Sequence, residues 1–130
     1  MNIYKMPASR EMDELIATDV MGWQPSKIHL GFWATPLEDG CEYNHHPVDE
    51  WSPSTDIAAA WEVIEIFRSG WQGHAAACID IKISDWVGRP DCQVSIFGPD
   101  IAEVRAEAYS ICLAICRAAL KAIMQGEGDA

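Results

Sequence analysis

The segment from Cys78 to Phe97 constrains the fold most. In CIDIKIS the isoleucines at 79, 81 and 83 alternate with Asp80, Lys82 and Ser84, and a period of two sends alternate side chains to opposite faces of a strand. Beyond the turn-forming GRPD at 88–91, CQVSIF resumes the alternation with Cys92, Val94 and Ile96 on the apolar side. The spacing predicts a β-hairpin over about 75–97 with one buried and one wet face, the pattern of an antiparallel sheet. Such a sheet needs a covering layer. A chain of 130 residues, 49% of them hydrophobic, can supply it within a single domain, 1–130.

Helices are the predicted cover. Met12, Leu15, Ile16 and Val20 recur at helical spacing behind a Ser9 cap, giving a helix over about 10–21 that Gly22 stops, with Trp23 folding back on its end. In WSPSTDIAAAWEV, Ser54 follows Pro53 as an N-cap, and a helix over about 54–69 places Ile57, Ala60, Trp61, Val63, Ile64 and Phe67 on one arc, which makes Trp61 a core residue. A third helix is expected over about 100–125, opened by Asp100 and Glu103 in a capping-box pattern, its seam running from Ile101, Val104 and Ala108 to Ile123. Ile28, Leu30 and Phe32 alternate with His29, Gly31 and Trp33, a short strand over about 27–34. Residues 37–53 follow neither period and read as a long loop. The expected architecture is α+β, a small antiparallel sheet layered with three helices.

Lys and Arg number 9 against 20 Asp and Glu, a net charge of −11. That field repels phosphate backbones and anionic lipid, so neither direct nucleic-acid binding nor a membrane role is expected, and a basic protein surface is the natural partner. The N-terminus has no apolar signal region and no stretch is long enough to span a bilayer. Five cysteines, two of them four apart in an apolar helical pattern, suit a reducing intracellular compartment, with the thiols free.

REMDELIATDVMGW near the start, WSPSTDIAAAWEVIE in the middle and LAICRAALKAI near the end together resemble the phage ABA sandwich domain proteins. The resemblance implies a small protein of phages and prophages, a sheet layered with helices, and no established activity. The segment from Leu37 to Glu50 has no counterpart in that pattern, so a function particular to this chain is expected there.

Within that segment Cys41, His45 and His46, with His74, Asp49 and Glu50, offer zinc-ligand types. Their spacing is not that of a regular zinc site, and adjacent histidines diverge on an extended chain. No metal and no cofactor is expected, and the same histidines read as solvated. Cys41 with His45 is the one local thiol–base pair, and no phosphate loop, nucleophile elbow or zinc-protease helix is present. The candidate binding residues are Tyr43, His45, His46 and Trp51, amphipathic side chains gathered around Pro47 in one connection. The expected function is a non-enzymatic phage or prophage accessory protein that binds, for example an acidic inhibitor of a host or defence protein. The alternatives are a small-molecule binder such as a sponge for a nucleotide-like immune signal, and a virion structural or assembly protein. Six tryptophans in so short a chain also fit a homodimer.

Overall fold

Alternation at 78–83 and 92–98 becomes the antiparallel pair it predicts. In the computed structural model, which describes residues 6–37, 40–70, 75–83, 92–99 and 101–127, the elements run α1 (Arg10–Leu15), a π-helical turn (Ile16–Val20), β1 (Gln24–Pro25), β2 (Phe32–Pro36), β3 (Glu42–Pro47), a 3-10 turn (Val48–Glu50), α2 (Ile57–Arg68), β4 (Cys78–Ile83), β5 (Cys92–Gly98), β6 (Ile101–Ala108) and α3 (Ile111–Glu127). The architecture is α+β, three helices layered with antiparallel strands. The strands form two three-stranded sheets, ordered β1-β2-β3 and β4-β5-β6, instead of the single sheet expected. The GRPD turn, Asp100, His74 and two of the six tryptophans lie outside the described residues.

The expected third helix is a strand followed by a helix. Residues 101–108 pair with β5 as β6, and Ser110 then caps α3 by accepting the Leu113 amide at 3.4 Å. The ladder gives the physical reason. Ile96 pairs with Val104 and Gly98 with Ile101, so β6 carries one extra residue opposite β5. That bulge turns both Ile101 and Val104 inward although they are three apart, a spacing that mimics a helix. Past it, Val104, Ala106 and Ala108 are buried while Arg105 and Glu107 are exposed, an ordinary strand alternation.

Cys92, Val94 and Ile96 are buried as expected, but the facing isoleucines are not equally covered. Ile79 and Ile81 are half-buried and Ile83 is 73% exposed. β4 is an edge strand, and α3 lies over β5 and β6, its Ala114, Ala118, Ala119 and Ala122 all buried. Small side chains let the helix sit close to β5 and β6, while β4 meets α2. Cys78, out of phase with the isoleucine row, is exposed on the wet face of β4.

Two helix starts come out differently. Ser9 caps α1 as expected, accepting the Met12 amide at 3.2 Å. The cap of α2 is Asp56, which accepts from the Ala58 amide, and not Ser54. Ser54 is 1% exposed and its amide donates to Asp13 Oδ1 at 2.8 Å, so tertiary pairing takes it out of the capping role. Trp61 is 46% exposed and Ile57 50%, correcting the expectation that Trp61 is core. Ala59, Ala60, Val63, Ile64 and Phe67 carry the buried face toward α3 and β4, and the flank bearing Ile57 and Trp61 is half open to solvent.

The strand expected at 27–34 begins only at Phe32. Ser26 Oγ accepts from the Ile28 and His29 amides at 3.2 and 2.8 Å and donates to Glu42 Oε2 at 2.6 Å. This folds 26–31 into a turn that Gly31 closes at φ +88°, a conformation other residues adopt at a cost. Ile28 and Leu30 consequently stand in solvent, 61% and 88% exposed. The segment 37–53, expected as a loop, holds β3 and the 3-10 turn. β3 escapes a hydrophobic pattern because what it buries is histidine and proline.

Candidate functional site

β3 sets the geometry of the candidate residues, and Trp23 organises them. Gly22, at φ +75°, ends the first helical segment, and the π turn holds the exit with Met21 N donating to Ile16 O and Trp23 N to Ala17 O, both at 2.9 Å. Trp23, 7% exposed, then lies under the strand. Its ring stacks on His45 with centroids 4.4 Å apart and an interplanar angle of 15°, and meets Trp51 at 4.6 Å and His46 at 5.8 Å. Tyr43 tilts against His45 at 5.0 Å and His46 stacks near Trp51 at 6.2 Å. Tyr43, His45, His46 and Trp51 are therefore brought into one aromatic cluster. Its place after Gly22 predicts only a helix-end contact for Trp23, and the turn between it and β3 hides the stacking from local patterns.

The cluster is uneven in access. Tyr43 is 62% exposed, both histidines are half-buried, and Trp51 is 3% exposed. Trp51 packs in the core, and its indole Nε1 is buried without a hydrogen-bond partner among the described residues. His45 Nε2 lies 2.6 Å from Thr35 Oγ1 on the neighbouring strand. Burial holds His45 below the ordinary imidazole range and the charge of His46 adds to this, with Glu62 opposing. His46 Nε2 reaches the Glu62 carboxylate of α2 at 3.0 Å. Nε2 of each histidine already meets a protein partner, and among the described residues there is no group of three or more metal-binding side chains. Cys41 sits exposed just before β3. Burial pushes the Cys112 and Cys116 thiols up, away from the thiolate that nucleophilic chemistry needs.

Trp51 also walls a cavity of about 270 Å³ between α1 and the connection from β3 to α2. Trp33 and Val48 supply apolar lining, and Asp13, Glu14, Asp49 and Arg10 supply charge. Arg10 reaches Asp49 Oδ1 at 2.6 Å and Glu14 Oε2 at 3.3 Å, so one guanidinium spans two carboxylates. Asp13 is 8% exposed, and burial raises its carboxyl above the usual range while hydrogen bonds from Ser54 act the other way. No sequence pattern flagged this cavity, because its walls come from residues 8–14, 33 and 48–55. Among the described residues no helix is long and apolar enough to cross a membrane.

Comparison with known proteins bears on the fold. A phage protein from Bacillus cereus ATCC 14579, known from a crystal structure, superposes with a TM-score of 0.58 at 23% identity, covering 88% of this chain and 85% of that one. No curated protein matches. The family model described as "Phage ABA sandwich domain" matches residues 14–120, from α1 to the second half of α3, and the chain belongs to that family.

Proposed function

We propose that this phage-family protein acts by binding and not by catalysis, and that it holds a basic side chain of a partner protein, host or phage, in the cavity beside Trp51. One observation carries the reading: the cavity has tryptophan walls and three carboxylates, Asp13, Glu14 and Asp49, against a single cation, Arg10. An ammonium or guanidinium over an indole face gains cation–π attraction of roughly 0.5–2 kcal/mol. Carboxylates at the rim add charge-assisted hydrogen bonds, and Arg10 already occupies them as a partner's arginine would. Tyr43, which is exposed, and the half-buried His45 and His46, which share an aromatic cluster with Trp51, extend the contact surface. The net charge of −11 attracts a basic surface to the molecule, an attraction that salt screens. The alternative of a nucleotide-like ligand is disfavoured, since a phosphate would meet the same three carboxylates.

The test is capture from host lysate with variants at exposed positions, Asp49→Asn, Glu14→Gln and Tyr43→Ala. Wild type retains a partner at low salt and releases it as salt rises, and the two carboxylate variants lose it. Capture that ignores both salt and the carboxylates would overturn the reading.

A further inference from the structure

The two edges of the second sheet are treated differently by the fold. β6 presents the carbonyls of Arg105 and Glu107, and both accept from side chains of α3: Lys121 Nζ reaches Arg105 O at 2.6 Å and Arg117 Nη1 reaches Glu107 O at 3.0 Å. That edge is closed by covering donors, a common protection against strand addition. At the other end of the sheet, no described strand pairs with the outer edge of β4. Its inward row grows more exposed from Ile79 and Ile81, half-buried, to Ile83 at 73%. Asp80 and Lys82 project from its wet face, both exposed, with no described partner.

We infer that β4 is a homodimer edge, pairing antiparallel with β4 of a second copy about a two-fold axis at Ile81, so that the sheet continues through six strands. The register follows from charge. In an antiparallel two-fold pair, residues whose numbers share a fixed sum face each other, and the sum must be even to keep both isoleucine rows on the same face. Centring on Asp80 puts that carboxylate against itself, and centring on Lys82 does the same with the ammonium. Centring on Ile81 places each Asp80 opposite the other copy's Lys82, twice, and sets each exposed Ile83 against the other copy's Ile79. Cross-strand ion pairs and aliphatic pairs are the units that stabilise such contacts. The same strand thus carries complementary charge on one face and uncovered apolar surface on the other, and a second copy satisfies both.

Full-length protein in a concentration series of sedimentation equilibrium tests this. Wild type is expected to approach twice its 14.4 kDa chain mass. Asp80→Lys sets lysine against lysine and Lys82→Asp sets aspartate against aspartate, so each alone weakens dimerisation by about tenfold or more. An equimolar mixture of the two variants restores both opposite-charge pairs and the dimer, as does the double exchange Asp80→Lys with Lys82→Asp in one chain. Circular dichroism confirms that the exposed substitutions leave the fold intact. A wild type that stays at its chain mass throughout, or a dimer indifferent to the single exchanges, overturns the inference.

Discussion

Asp13 shows how one residue links local capping to tertiary structure. It sits in the first turn of α1, where an acid suits the helix dipole, yet it is nearly buried and its carboxylate accepts the amide of Ser54, forty-one residues away. Because burial raises its pKa, the folded chain holds that proton more tightly than the unfolded one, and stability falls as pH rises from the ordinary carboxyl value of 3.8 through the raised folded value. Asp13→Asn keeps the oxygen that Ser54 needs and removes the buried charge. It is expected to match or exceed wild type at neutral pH in urea unfolding. Asp13→Ala leaves the Ser54 amide unsatisfied and loses about 1–3 kcal/mol. An asparagine variant as unstable as the alanine one would show that the charge itself is required. His45 has the opposite linkage. Its folded pKa is depressed, chiefly by burial, so the unfolded chain takes up a proton first and stability is lost as pH falls below about 6.5 toward the folded value. His45→Gln should lose less melting temperature than wild type between about pH 7.5 and about pH 5.5. An identical slope in the two proteins would remove His45 as the source.

Among the elements, α3 does the most. It covers β5 and β6, meets α2 and the π turn, and closes the β6 edge. Arg117 is its principal clamp: Nε and Nη2 both donate to Met6 O, at 3.2 and 3.0 Å, while Nη1 takes Glu107 O. A planar fork can serve two carbonyls at once, and an ammonium cannot hold that geometry. Arg117→Lys is therefore expected to cost about 1–2 kcal/mol in chemical denaturation despite keeping the charge. A lysine variant as stable as wild type would mean the fork contributes nothing. The elements also mark where local pattern was enough and where it failed. The hairpin strands and α2 were legible because each keeps one period along its length, and the first helical segment was legible as a helix although its second half, Ile16–Val20, is π-helical. β6 was not, since its bulge places Ile101 and Val104 at helical spacing. β3 was not, because it buries aromatic and polar side chains that carry no alternation of hydrophobicity.

At the scale of the whole molecule, the buried residues of the helices and both sheets form one contiguous cluster, from Met6 to Ile123. The resemblance carried by the three sequence segments extends to the fold, and the family model covers residues 14–120. Legibility of the candidate site was partial. Tyr43, His45, His46 and Trp51 do gather, but Trp51 does so as a core residue, and Trp23, Thr35 and Glu62 join from other elements. The cavity and the edge strand were invisible in the sequence, being relations between segments and not properties of any one.

The sequence by itself determined which segments are amphipathic, where the first helix begins, that the charge is strongly negative, and that the fold is α+β. These follow from side-chain period, backbone preference and composition, all local. The tertiary structure alone decided that the strands split into two sheets, that Ser54 serves Asp13 in place of α2, that Trp61 faces solvent, and that one edge of the second sheet is capped by α3 side chains while no described strand pairs with the other. Each of these depends on which surface arrives opposite which, and burial is fixed by the partner as much as by the residue.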